Sequence, residues 1–287
     1  MERERVRGYQ FHKYSALGND YLVLDPCASL PVLTPDSIRA ICDRHNGAGA
    51  DGIVVGPEYD GVGQMTIRIY NPDGSEAEKS GNGIRIFTRY AFEAGYVSRE
   101  PFPLVTRGGS VTARVLDDAG ALIEVDMGAP SFRSLDIPMT GPEREVVDEP
   151  LSIGGEELRM TCVSMGNPHC VVFTGALDVE RVQRVGPLLE HAPCFPQRTN
   201  VQFAQALDAE TLAIQIWERG AGYTLASGSS SCAAASAARR LGLVGDHVDV
   251  RMPGGSLSVA FRPDGHVVLM GPVTGVMRGY FHADLAL

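Results

Sequence analysis

The sequence predicts an α/β chain made of two similar halves. Three observations carry that expectation. A long segment of the first half recurs in the second; each copy reads as strand, polar loop and helix; and the composition is that of a globular chain. The recurrence pairs MTIRIYNPDGSEAEKSGNGIRIFTRYAFEAG, from Met65, with TLAIQIWERGAGYTLASGSSSCAAASAARRLG, from Thr211. Ile67, Ile69 and Tyr70 align with Ile214, Ile216 and Trp217, Ser80-Gly81 with Ser227-Gly228, and Gly95 with Gly242, at an offset of 147 throughout. LGNDYLVLD around Asn19 resembles MGNPHCVVF around Asn167 at an offset of 148. Gly108-Gly109-Ser110 resembles Gly254-Gly255-Ser256 at an offset of 146. Matches in one order at nearly one spacing point to two homologous halves.

Element by element, TIRIY and AIQIW are short apolar or alternating strands. A polar, glycine-containing loop of about ten residues follows each. Ser-Gly then opens a run of helical period: Ile84, Ile86, Phe87, Tyr90 and Ala91 in the first half, Cys232 to Ala238 in the second. Gly95 and Gly242 are natural helix stops. The second helix is nearly all Ala, Ser and Cys, so it is expected to lie deep, where only small side chains fit. PLVTRGGSVTARVL, ALIEVDM and HVVLMGPV read as strands joined by tight turns. The expected domains are residues 1–127 with 275–287, and residues 128–274, with the junction near Gly128-Ala129-Pro130.

The chain has 287 residues, 44% hydrophobic and 21% charged, enough for two soluble domains with cores of their own. Its formal net charge of -10 argues against a nucleic-acid partner, because phosphate neutralisation needs a basic face. No apolar run is long enough to span a bilayer. The charged start MERERVRGYQ leads into no signal segment, so a cytoplasmic protein is expected. The six cysteines, Cys27, Cys42, Cys162, Cys170, Cys194 and Cys232, form no CxxC pair and stand beside no histidine cluster. Reduced, mostly buried thiols are expected, and no metal site.

Each half sets a small hydroxyl residue, then glycine, at the mouth of a helix. A helix start offers free backbone N–H groups and the positive end of the dipole, and so receives a carboxylate without a basic side chain. Each end contributes about 0.3–1 kcal/mol. Two such ends facing one another would grip one carboxylate, with residues 80 and 227 flanking the α-carbon on opposite faces. Serine is also a preferred N-cap, so Ser80 and Ser227 equally fit the plain role of closing their helices.

Six ordered motifs then resemble the diaminopimelate epimerase family over nearly the whole chain. They are ALGNDYLVLD, CDRHNGAGADGIVV, IYNPDGSEAEKSGNGIR, VSMGNPHCVVF, RTNVQF and WERGAGYTLASGSSSCAAA. The resemblance implies two α/β domains, each a curved, mainly antiparallel sheet around a central helix, with the site in the cleft between them. It implies an isomerase that racemises or epimerises an amino acid without pyridoxal phosphate, metal or other cofactor, through a cysteine base and a cysteine acid. By position, Asn19, Asn71, Asn167, Asn200, Glu218 and Arg219 stand with the family's substrate-holding residues. Gly81, Asn82, Gly228 and Ser229 stand where backbone amides receive the reacting carboxylate. The resemblance also implies a homodimer.

One departure is sharp. Where the family reads CGNG and CGTG, this chain reads Ser80-Gly-Asn-Gly and Ser227-Gly-Ser-Ser. A helix start lowers a thiol's pKa by several units, whereas a hydroxyl needs an adjacent base. Three accounts stay open: deliberate replacement of both cysteines, a natural homologue with altered chemistry, and a non-catalytic amino-acid-binding homologue. Loss of only the two sulfurs, with every polar pocket residue kept, favours the first. A related isomerase or dehydratase with one acidic catalytic group is disfavoured, since no Asp or Glu stands at position 80 or 227. Diaminopimelate is the default substrate. O-ureidoserine of a cycloserine-type pathway is the alternative, with local differences such as HKYSALGND at His12–Asp20 leaving room for it. His45 and His169 are read first as packing or loop-ordering residues.

Overall fold

A computed structural model describes residues 8–282 and 285. The charged start, residues 1–7, and residues 283, 284, 286 and 287 of the first expected domain lie outside the described residues. By its contacts the chain divides into two units, Met1–Ile123 with Pro272–Leu287, and Glu124–Gly271.

In chain order the first unit contains β1 (Gln10–Ala16), β2 (Asn19–Leu24), α1 (Pro35–Cys42), β3 (Gly52–Tyr59), β4 (Met65–Tyr70), β5 (Glu76–Ala77), α2 (Gly81–Glu93), β6 (Phe102–Thr106) and β7 (Gly109–Val115). After β8 (Leu122–Asp126), which runs across the division of the chain, the second unit contains β9 (Glu149–Ile153), β10 (Glu156–Ser164), β11 (Pro168–Phe173), α3 (Val179–Glu190), β12 (Asn200–Ala206), β13 (Thr211–Glu218), β14 (Gly222–Thr224), α4 (Gly228–Arg240), β15 (His247–Met252), β16 (Gly255–Phe261) and β17 (Val267–Pro272). The chain closes on β18 (Thr274–Tyr280), which pairs with β1 in the first unit.

The pairings repeat from one unit to the other. In the first, β1 and β2 are antiparallel, β2 and β3 parallel, β3 and β4 antiparallel, β4 and β6 parallel, and β6 and β7 antiparallel. In the second, β10, β11, β12, β13, β15 and β16 follow the same alternation. The sheets are therefore mainly antiparallel, with a helical crossover, α1 or α3, making each β2–β3-type parallel step. This repetition is the structural form of the sequence offset.

The inner strands are apolar without a break because both their faces are covered. Leu22 and Leu24 of β2 pack with Ile38 and Ile41 of α1 and with Ile53 and Val55 of β3. α2 packs against β1, β2, β3 and β7, strands far apart in the sheet order, so the sheet curves round that helix. In the second unit α3 supplies Val182, Val185 and Leu189 to a cluster with Cys170, Val172, Val201 and Phe203. α4 packs against β10, β11, β12, β13, β15 and β16. Every residue of α4 from Gly228 to Ala238 is buried, as its Ala-Ser-Cys composition requires. Strands with one face open keep the period of two, as in β15, where exposed and buried residues alternate.

Both expected helices begin and end where the sequence places them. Ala94 and Leu241 are the C-caps, and Gly95 and Gly242 follow at φ of 80° and 72°. The polar loops differ from expectation, since each carries a short strand, β5 or β14, paired back on the strand before it. All six cysteines are free, four of them buried, with Cys194 partly buried and Cys27 exposed. No helix among the described residues is long and apolar enough to cross a membrane.

Candidate functional site

In the first unit, Ser80 has extended backbone angles, φ -136° and ψ 116°, and is the N-cap of α2. Its Oγ accepts from the Gly83 amide at 3.1 Å, and its carbonyl accepts from Ile84 N at 2.9 Å. That leaves Gly81 and Asn82 as the first two residues of the helix, where amides have no partner within the helix. Tyr21 of β2 brings its hydroxyl to 3.4 Å from Ser80 Oγ. Gly52 makes room for that ring: a Cβ there would lie 2.4 Å from Tyr21 Cε1.

Asn19 begins β2 directly after a two-residue turn, Leu17-Gly18, whose φ angles of 58° and 86° reverse the chain between β1 and β2. Its Oδ1 accepts from Asn82 Nδ2 at 2.9 Å, and its Nδ2 donates to Asp51 Oδ2 at 3.2 Å. Asp51 also accepts from Arg44 at 2.6 Å, and Arg44 with Lys13 clasps Asp20, at 2.7 and 2.8 Å. Burial alone would raise the Asp20 carboxyl. Hydrogen bonds from Arg44 and Lys13 outweigh burial and hold it well below the usual carboxylate range. Asp51 moves the other way, pushed up by its burial. Asn71 is occupied by turn chemistry. Its backbone N–H donates to Ser75 O at 2.8 Å, and its Nδ2 donates to Ser75 Oγ at 3.0 Å.

The second unit repeats the cap. Ser227 is extended, φ -149° and ψ 126°, and its Oγ accepts from Ser230 N at 3.4 Å. It is more deeply set than Ser80, at 3% exposed. Gly228 and Ser229 follow as the first helical residues. Met252 Sδ lies 3.5 Å from Ser227 N and 3.3 Å from Ser231 Oγ.

Asn167 sits on the tight turn between β10 and β11, and its Oδ1 lies 3.0 Å from His169 Nε2. The other ring nitrogen of His169 faces Gln202 Nε2 at 3.1 Å, which in turn reaches Ser230 Oγ at 3.0 Å. Burial first, and then the nearby Arg219 guanidinium, push the His169 pKa down to about 3, so the ring is neutral. Asn200 begins β12, opposite His169; its Nδ2 donates to Pro168 O at 2.9 Å and its Oδ1 accepts from Arg219 N at 3.0 Å. Glu218 accepts from Thr224 Oγ1 at 3.3 Å, across the β13–β14 hairpin. Arg219 Nη1 donates to Gln197 O at 3.3 Å.

Asn19, Gly81 and Asn82 thus gather around the start of α2 by direct hydrogen bonds or succession, while Asn71 belongs to the turn before it. Asn167, Asn200 and Arg219 form one connected set, with Glu218 on the adjoining hairpin. Sequence reasoning passed over Tyr21, Arg85, Glu190 and Gln202. Arg85, one turn into α2, is fully buried, with Nη2 at 2.5 Å from Asn82 Oδ1. Glu190 is a buried carboxylate on α3 that accepts from Trp217 Nε1 at 2.8 Å and from Gly220 N at 2.9 Å, fixing the loop after β13. The one sign of Arg85 in the sequence is a charge inside an apolar helical run, and by itself that reads as a solvent-facing residue. Among the described residues no group of three or more His, Cys, Asp or Glu is placed to hold a metal ion.

The family model described as diaminopimelate epimerase matches residues 11–133 and 161–276. A protein of Nostoc sp. (strain PCC 7120) named diaminopimelate epimerase 2 is 46% identical over 276 residues, covering 96% of each chain. The diaminopimelate epimerase of Moorella thermoacetica is 42% identical over 278 residues, covering 96% of this chain and 99% of its own. Among solved structures, a hydroxyproline epimerase of Agrobacterium vitis superposes with a TM-score of 0.72 at 15% identity, covering 98% of this chain and 94% of its own. That last likeness is one of fold.

Proposed function

The chain belongs to the diaminopimelate epimerase family, and on that premise we propose that it is a cofactor-independent amino-acid epimerase or racemase whose proton-transfer positions are residues 80 and 227. The observation that carries the reading is the duplicated cap: a serine, then glycine, at the start of the buried helix of each unit. The amides of Gly81, Asn82, Gly228 and Ser229 would receive the α-carboxylate, helped by the two helix dipoles. Asn19, Asn167, Asn200, Glu218 and Arg219 would hold the distal polar groups, joined by Asn71 through its Oδ1, since its Nδ2 is held by Ser75. One group at 80 or 227 removes the α-proton and the other returns a proton to the opposite face.

Serine is poorly suited to that exchange. The hydrogen-bond partners of Ser80 Oγ are Gly83 N and the Tyr21 hydroxyl, and that of Ser227 Oγ is Ser230 N. None of these is a histidine, lysine or carboxylate, so neither hydroxyl has a partner of the kind that usually activates serine. The chain as written is therefore a slow catalyst, and cysteine at both positions is the active pair. The substrate is diaminopimelate or a related polar amino acid, O-ureidoserine being the alternative.

The test is α-proton exchange in deuterium oxide, read by NMR, with stereoisomers of diaminopimelate and of O-ureidoserine. Ser80→Cys with Ser227→Cys is expected to raise exchange by about 10²–10⁴-fold, the usual range for a positioned acid or base. A folded double variant that exchanges no substrate overturns the reading. Tight binding of one stereoisomer without exchange would instead favour the amino-acid-binding homologue. The homodimer that the resemblance implies is tested by sedimentation of the full chain.

A further inference from the structure

We propose that Arg85 is a positioning residue that sets the orientation of the Asn82 and Asn19 side-chain amides. Its guanidinium is fully buried in the first unit and spans three acceptors. Nε donates to Gly81 O at 3.3 Å, Nη1 to Pro272 O at 3.1 Å, and Nη2 to Asn82 Oδ1 at 2.5 Å. From Asn82 the bonds run on in one direction. Asn82 Nδ2 donates to Asn19 Oδ1 at 2.9 Å, and Asn19 Nδ2 donates to Asp51 Oδ2 at 3.2 Å.

The direction is fixed by the chemistry of the two ends. A guanidinium only donates, so the atom of Asn82 that faces it must be oxygen. The Asp51 carboxylate accepts at both oxygens, from Asn19 Nδ2 and Asp20 N at one and from Arg44 at the other. The atom of Asn19 that faces it must therefore be the NH₂. Each asparagine has two possible orientations by itself. Between a donor-only and an acceptor-only terminus, one orientation satisfies every link. Turning either amide sets oxygen against oxygen or nitrogen against nitrogen at two contacts.

The relay rests on the reading above only for its consequence. Asn19 and Asn82 are both assigned there to the substrate, so whichever faces of their amides remain are chosen by Arg85. Arg85 itself acts through them. Arg44 and Lys13 hold the far terminus in the same way, by fixing Asp20 and Asp51.

The experiment is side-chain amide NMR on the ¹⁵N-labelled full chain, with the Asn19 resonances assigned from Asn19→Ser. In Arg85→Met the Asn19 NH₂ pair is expected to shift and lose protection from solvent exchange, although no bond joins the two residues. Arg85→Lys, which keeps one donor for Asn82 Oδ1, is expected to restore part of both. An unchanged Asn19 pair in folded Arg85→Met overturns the proposal. Should Arg85→Met fail to fold, Asn82→Asp keeps an acceptor for Arg85 and faces Asn19 Oδ1 with oxygen. It is expected to shift the same pair, and no shift overturns the relay. In the chain carrying cysteine at 80 and 227, Arg85→Lys is expected to raise KM more than it lowers kcat. Loss of kcat alone overturns the positioning role. Absence of exchange in the parent double variant would count against the proposed function, and the amide signals would still decide the relay.

Discussion

His169 carries one proton's worth of pH dependence for the whole chain. Its ring is fully buried and is held to a pKa of about 3, first by burial and then by the Arg219 guanidinium. In the unfolded chain the same ring titrates near ~6.5. The unfolded state therefore binds a proton below that pH which the native state refuses. Stability from the neutral ring is complete above ~6.5 and is lost as pH falls toward the native pKa, by about 1.4 kcal/mol per unit. Urea midpoints between pH 7 and pH 5 measure this. His169→Gln, which can donate to Asn167 and accept from Gln202, is expected to lower the slope by one proton. Parallel slopes in the two proteins would show that the ring titrates normally. His169 was legible in GNPHC as an ordering residue, because a polar ring in an apolar strand has to be satisfied. Arg85 was not, because a charged residue in a helix reads as solvent-facing. Its acceptors Gly81 O and Asn82 Oδ1 lie within a turn, but Pro272 O is 187 residues away. Asn71 matched a motif position, yet its backbone N–H and its Nδ2 both bond Ser75 of its own turn, a use that the motif alone does not distinguish.

The elements legible in advance were those whose composition leaves a single solution. The run in α4 contains no side chain larger than Cys from Gly228 to Ala238, and all of it is buried. Its core positions have no room to grow. Ala235→Leu is expected to cost about 1–3 kcal/mol, as overpacking usually does. Ala94→Leu, at the exposed C-cap of α2, should change stability by within about 0.5 kcal/mol. Chemical denaturation of both variants checks the contrast, and an equal effect would show that α4 is loosely packed. The crossover helices were harder to see. α1 is eight residues long, and most of its apolar burial is Ile38, Ile41 and Cys42. α3 carries Pro187 inside it, a residue that reads as a helix end. The two-residue strand β5 is shorter than any hydrophobic period, so only its pairing with β4 reveals it.

At the scale of the molecule, the duplication shows how many halves there are, and strand pairing decides which segments complete each. The second unit is continuous, Glu124–Gly271. The first needs the end of the chain. β18 pairs with β1 from Tyr280 opposite Gln10 to Thr274 opposite Ser15. Phe281 stacks on Phe11, with ring centroids 4.8 Å apart, in the cluster that holds Leu22, Ile38 and Ile53. α2 also fixes the segment before β18, through Arg85 to Pro272 O and Arg89 to Val273 O. Cutting after Ile123 removes all of these at once, including one buried Phe worth roughly 1.5–3 kcal/mol. A large fraction of a domain's usual 5–15 kcal/mol would go with them. Residues 124–271 are therefore expected to melt cooperatively as a separate fragment. Residues 1–123 alone should not, and should regain a cooperative transition when residues 272–287 are fused ahead of them through a flexible linker. Circular dichroism melts of the three fragments decide it. A cooperative transition in residues 1–123 alone would mean that β18 only decorates a unit already complete without it.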